Sequence, residues 1–425
     1  MNDIGSTFDR LWSQLLPIGV TPAGGYRRFA WSDADLQARA WFTAAATEQG
    51  LQVQTDRNGN LWAWWLPASW SGEPREAFVS GSHLDSVPDG GAFDGPLGVV
   101  SALCAIDVLR SSGVQPLRPV GVAVFADEEG ARFGVACAGS RLATGALSPE
   151  AARGLVDAGG VTLDQAMRRA GVDTSQLGRD DDTLRRIGVF VELHIEQGRA
   201  LAEFNAPVGI GTSIWPHGRW RFSFEGQANH AGTTRLEDRR DPMLPFAASA
   251  LHARELAAQC GGVATFGRVQ VEPNATNAVP SNVTAWLDAR GPTQEIVDEI
   301  VEGVLKFADV RARDEQMSVT VTAESVSMVV TFSAGVRSRL HRVLDSVADV
   351  GAGPGRGAVP DLGTGAGHDA GVLSAAVPTA MLFVRNPTGV SHSPEERAER
   401  ADCLAGIEAL AAVMTDWVTT AVDAS

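Results

Sequence analysis

The sequence predicts an α/β fold interrupted by a smaller α+β insert, and three observations carry that reading. First, FVSGSH (78–83), VGVAVFA (120–126) and GVFVELHIE (188–196) are apolar, β-rich runs bounded by loops, as expected of buried parallel strands. Second, Leu97 to Arg110 between the first two runs reads as a helix, which completes a β-α-β unit. Third, from about Ser213 the pattern changes. RWRFSFEG, VATFGRVQVEP and VTAWLDAR alternate with the period of a sheet that has one exposed face. The α/β texture returns near 331, so the chain divides into 1–212 with 331–425 and an insert at 213–330. A length of 425 residues agrees with two domains.

In chain order, the first helix with clear ends runs from Ser32 to about Glu48, with a serine N-cap and Gly50 closing it. LQVQTD and LWAWWL flank a turn at Arg57-Asn58-Gly59 and form a hairpin. Within the insert, 241–258 and 294–308 read as helices. After it come a helix at 334–348, a Gly-rich loop at 351–367, a strand at PTAMLFV and a last helix at 400–420.

The net charge of −16 excludes a nucleic-acid partner, because no basic stripe is present to meet phosphates. No run approaches 18 uncharged apolar residues, so no membrane span is expected, and the N-terminus does not read as a secretory signal. Cys104, Cys137, Cys260 and Cys403 form no CxxC pair, which fits buried free thiols in a reducing cytoplasm.

Chemistry-bearing residues gather at strand ends. His83 follows a buried strand with Asp85 two residues on, and Asp94 lies in a Gly-rich loop just before a helix. VAVFADEEG ends in Asp127, Glu128 and Glu129, ELHIEQG carries His194, and GVSHSPEE offers His392. Open α/β sheets place ligands beyond the carboxyl ends of their strands. Strand capping alone would favour Asn, Ser or Gly there, whereas histidines with carboxylates suit zinc, manganese or cobalt. Paired glutamates divide the labour: one holds metal while its neighbour takes the proton from the attacking water.

The strings GSHLDSV, GGAFDGPLG, ELHIEQG, GQANHAGTT, GAGHDA and SHSPEE, in this order, resemble the dinuclear zinc amidohydrolases related to aminoacylases and zinc carboxypeptidases. More narrowly they resemble the ureido branch: N-carbamoyl-L-amino acid hydrolases, allantoate amidohydrolases and β-ureidopropionases. The resemblance implies a mixed-sheet metallohydrolase catalytic domain with a lid and dimerisation insert, two divalent metal ions and a homodimer. It implies that His83 and His194 each hold one metal, that Asp94 bridges, and that Glu129 and His392 complete the second. Glu128 would be the general base and later acid, with Asp85 orienting His83 from behind. His230 would serve the ureido carbonyl in the partner subunit's site, and Arg290 would grip the carboxylate of a small substrate. Gln197 and Asn277 would orient that substrate, with His368 as a further pocket histidine.

The residues themselves support Arg290 less strongly, since an arginine ending a strand is usually on the surface. An acidic protein with an anionic substrate nevertheless needs a cationic clamp, and arginine binds carboxylates bidentately. Asp369 reads equally as a helix N-cap or a catalytic group, and His217, His252 and His341 read as structural. Two segments depart from the family pattern: Arg235 follows Thr233-Thr234 where proline is usual, and VRNPTGV precedes SHSPEE. The rival readings are an N-acyl amino acid hydrolase or exopeptidase with the same metals, and a binding protein on this fold that has lost turnover.

Overall fold

The computed structural model describes residues 4–67, 70, 76–347 and 358–420. It divides into two compact units, one of residues 1–212 with 332–425 and one of residues 213–331.

In the first unit the strands Ala77–His83, Val120–Phe125, Ile187–Ile195 and Thr379–Val384 are buried almost throughout. Ala77–His83 pairs parallel with Val120–Phe125 on one side and Ile187–Ile195 on the other, and Ile187–Ile195 pairs parallel with Thr379–Val384. Parallel pairing sends all four carboxyl ends to the same edge: His83 stands opposite Phe125, and His194 opposite Phe383. Antiparallel strands complete the sheet, Leu61–Trp65 against Val120–Phe125 and Val208–Ile214 against Thr379–Val384. The hairpin expected around Gly59 is present, with Gln52 opposite Trp64. The Asp56 carboxylate fixes its turn by accepting from the Asn58 and Asn60 amides, the Asn60 side chain and the Trp62 indole.

Pro96–Ser111 opens with proline in its first turn and is buried along most of its length, packed against the sheet and the helices Ile4–Leu15 and Arg400–Thr419. Each leucine or valine buried there contributes roughly 1.5–3 kcal/mol. Ser32 caps Asp33–Glu48 by accepting from the Asp35 amide. The close packing is tightest at Gly81, whose φ is 147°. A Cβ at this position would stand 2.0 Å from the Ala123 carbonyl oxygen of the adjacent strand.

Part of the segment read as a Gly-rich loop is a strand, Asp361–Thr364, paired with Val208–Ile214. Residues 351–357 of that loop, and residue 348 of the helix expected at 334–348, lie outside the described residues. The helix is Ala334–Leu344.

The second unit is a four-stranded antiparallel sheet in the order Ser318–Ser327, His217–Glu225, Asn282–Arg290, Val263–Glu272, with the helices Met243–Cys260 and Gln294–Asp314 over it. The central strands alternate as expected. Trp220, Phe222, Phe224, Val283 and Leu287 face the helices, while Arg219, Arg221 and Trp286 lie on the other face. The edge strand Val263–Glu272 buries neither face fully. Among the described residues no helix is long and apolar enough to cross a membrane.

Replacing Gly81 by alanine forces both a clash with fixed backbone and a strained φ. It is expected to cost about 3 kcal/mol or to prevent folding, as read by chemical denaturation.

Candidate metal centre

The edge to which the parallel strands run is where the acids and histidines meet. His83 ends its strand, His194 is the penultimate residue of its own, and Glu128 and Glu129 follow Val120–Phe125. Asp94 and His392 come from loops. The bend that delivers the glutamates places Asp127 at φ 55°, and His392 has the same value, a region non-glycine residues rarely adopt. Gly95 at φ 83° lets the chain pass beneath the imidazole of His83, which a Cβ there would approach to 2.5 Å.

Asp94 is the hub. Its Oδ1 lies 3.5 Å from His83 Nε2 and 3.2 Å from His194 Nε2, and its Oδ2 lies 3.4 Å from His392 Nε2. His392 Nε2 is 3.7 Å from Glu129 Oε2. His194 Nε2 and Glu129 Oε1 are buried without a hydrogen-bond partner among the described residues. Two donors each roughly 2.1 Å from one tetrahedral ion lie about 3.4 Å apart, so these separations are those of ligands sharing an ion. Two such triads are formed, His83/Asp94/His194 and Asp94/Glu129/His392, with Asp94 common to both. The imidazole and carboxylate donors suit zinc, manganese or cobalt.

This geometry corrects one expectation. His83 and His194, expected on separate metals, approach the same Asp94 oxygen and form with it one triad that could hold a single ion. A second correction concerns Asp85. His83 Nδ1 bonds the Asp85 backbone carbonyl at 3.0 Å, while the Asp85 carboxylate, 3.7 Å from that nitrogen, accepts from the amides of Glu128 and Glu129. Asp85 therefore also clamps the paired glutamates. His194 Nδ1 bonds the Ile195 carbonyl at 2.8 Å, which directs its Nε2 at Asp94.

Burial pushes the Glu128 carboxyl well above the usual carboxylate range, reinforced by Asp369, Glu129 and Asp85 and opposed by His83. Burial and the nearby Asp94 raise Glu129 to about 7. The hydrogen bond to Asp94, against the effect of burial, lifts His392 to about 9. Burial opposes the ionised Asp94, yet His194, His392 and His83 hold its carboxyl well below the ordinary value.

Gln197 donates to Asp94 Oδ2 at 2.9 Å and lies 3.3 Å from His392 Nε2, and its own oxygen is buried without a partner. His368 is buried with its ring edge-on to His194 at 4.5 Å, and its Nε2 has no partner. Glu192, His194 and His368 thereby form a third cluster of potential ligands. The N-cap position of the helix Asp369–Leu373 is held by His368, whose side chain makes no capping bond, and Asp369 is buried, accepting from Ser140 Oγ at 2.5 Å. His252 stacks on Phe307, and His341 bonds Asp361.

The second unit holds the remaining expected residues. His230 is exposed, and its Nδ1 accepts from the Gly232 and Thr233 amides, which leaves the proton on Nε2. Ala278 pairs with His230, and the Asn277 carbonyl accepts from the Ala231 amide, so Asn277 and His230 are neighbours. Arg290 ends its strand opposite His217 and makes a two-point contact to Asp288, Nε to Oδ1 at 2.7 Å and Nη2 to Oδ2 at 3.1 Å.

Two residues at the centre escaped the sequence reading. Cys137 Sγ donates to Glu128 Oε1 at 3.2 Å, and Glu396 holds the Asp94 loop. Only the SHSPEE string pointed near the second, and nothing in the sequence marked the first.

A sheet whose strand ends present clustered histidines and carboxylates beside a buried free acid is the arrangement of a hydrolase. The chain belongs to the peptidase family M20/M25/M40, whose model matches residues 79–416. It is 35% identical over 408 residues to an N-carbamoyl-L-amino acid amidohydrolase of Geobacillus stearothermophilus, covering 95% of this chain and 96% of the relative. It is 32% identical to an allantoate amidohydrolase of Escherichia coli, over 94% and 95% of the two chains. A crystal structure of a hydantoinase/carbamoylase family amidase from Burkholderia multivorans superposes with a TM-score of 0.86 at 28% identity, over 98% of both chains. The protein is thus a hydrolase of carbon–nitrogen bonds other than peptide bonds.

Ligands bind metal deprotonated. With Glu129 near 7 and His392 near 9, metal uptake at pH 6 is expected to release protons and to strengthen as pH rises toward 9. Calorimetry in buffers of different ionisation enthalpy reads this. Uptake with no proton release at pH 6 would contradict the assignment.

Proposed function

We propose that the protein is a two-metal amidohydrolase that cleaves the ureido group of a small carboxylate, an N-carbamoyl-L-amino acid or allantoate. The supporting observation is the pair of triads sharing Asp94, with Glu128 beside them and His83 Nε2 3.8 Å from Glu128 Oε2. When bound, zinc, manganese or cobalt ions at these residues supply Lewis-acid polarisation and make water more acidic.

Glu128 takes the proton of the attacking water and passes it to the leaving nitrogen; its raised carboxyl suits it to both. The C–N bond breaks, and the carbamate fragment decays to carbon dioxide and ammonia. His230, whose Nδ1 accepts from two amides of its own loop and leaves the proton on Nε2, donates toward the ureido oxygen as negative charge develops. Arg290 grips the substrate carboxylate, and Asn277 and Gln197 orient the substrate, with His368 lining the pocket. The unit of residues 213–331 acts as lid and dimerisation domain, with His230 serving the partner's site. That reading is supported by the likeness to the carbamoylase family and by the exposure of His230.

Glu128→Gln is expected to keep its metals and lose turnover on the order of 10²–10⁴-fold. Near-normal turnover with metal bound would overturn the role. Arg290→Lys replaces a planar fork by a point charge and should raise KM about 10–100-fold with kcat little changed. The substrate class is read by ammonia release from N-carbamoyl amino acids and allantoate against amine release from dipeptides; activity confined to dipeptides would reject the ureido assignment.

A further inference from the structure

The four strand- or bend-borne groups, His83, His194, Glu128 and Glu129, are held by the sheet and by Asp85. Asp94 and His392 are not: both sit on loops, about 300 residues apart in the chain. A single buried carboxylate joins those loops. Glu396, 5% exposed, accepts through Oε1 from the amides of Phe93 at 2.9 Å and Asp94 at 3.0 Å. Its Oε2 accepts from Ser391 Oγ at 3.1 Å, next to His392. Residue 91 must be glycine for this to happen, because a Cβ there would lie 2.3 Å from Glu396 Oε1 and 2.4 Å from Glu396 Cβ. Each of its oxygens thus accepts from one of the two loops, Oε1 from the Asp94 loop and Oε2 from the His392 loop.

We propose that Glu396 is a positioning residue that ties the bridging Asp94 to His392 and so sets the affinity of the Asp94/Glu129/His392 position, which depends on both loops, more than that of the His83/Asp94/His194 position, which depends on one of them. This rests on the two-metal reading above. Its physical basis is that a ligand on a loop must lose its own freedom on binding, whereas loops already tied, the Asp94 loop by two hydrogen bonds and the His392 loop by one, have lost part of it.

The test is titration of the metal-free full chain with Mn²⁺ by calorimetry, with metal content checked after dialysis. Wild type is expected to bind two equivalents. Glu396→Ala is expected to retain one and bind the other about 10–100-fold more weakly. Glu396→Gln keeps an oxygen for the two amides and is expected to stay close to wild type. If Glu396→Ala fails to fold by circular dichroism, Gly91→Ala displaces the same carboxylate and should weaken the same equivalent. Two equivalents at wild-type affinity in Glu396→Ala would overturn the proposal, as would equal loss of both or a Glu396→Gln variant as impaired as alanine. A wild-type chain that binds no metal would overturn the metal reading itself, and this role with it.

Discussion

Asp94 is a carboxylate buried among three histidine nitrogens, at distances of 3.2 to 3.5 Å that are compatible with shared coordination. An ionised group removed from water needs compensation, and unpaired polar atoms in such a place are costly. Here His194 Nε2 and Glu129 Oε1 have no hydrogen-bond partner among the described residues. A cation at these residues would offset that cost, and the rest of the centre is arranged around Asp94. Parallel strands bring His83 and His194 to one edge, Asp85 holds the glutamate bend, and Glu396 holds the two loops.

His83, His194, Glu128 and Glu129 were legible as candidates because each stands where an apolar run stops and parallel pairing aligns those stops, whereas Asp94 and His392 lie on loops and were marked only by their strings. The fold was legible for the same reason: Ala77–His83 and Ile187–Ile195 are continuous apolar runs that only a doubly covered sheet buries. Less visible were elements lacking that contrast. The helix Ile4–Leu15 was read only as the absence of a signal, and Val208–Ile214 is short and glycine-rich. Gln294–Asp314 runs six residues past the expected end because Ala308 and Ala312 continue its buried stripe. Asp361–Thr364 hides in a glycine-rich stretch and exists as a strand only through its pairing.

Atom-level roles were the least legible. Whether His83 bonds the carbonyl or the carboxylate of Asp85 is a matter of ångströms that no spacing encodes. Cys137 and Glu396 act through contacts with residues 9 and about 300 positions away. In sequence one is an ordinary small residue and the other one of many acids in a chain with 51. In the second unit the alternation of the central strands was plain. The His230 tautomer, by contrast, is set by two backbone amides of its own loop.

The most direct test of the central claim is anomalous X-ray diffraction at a metal edge from crystals grown with manganese or zinc. The account predicts two peaks per chain, one among His83, Asp94 and His194 and one among Asp94, Glu129 and His392. Crystals that diffract well and show no peak on Asp94 would contradict it.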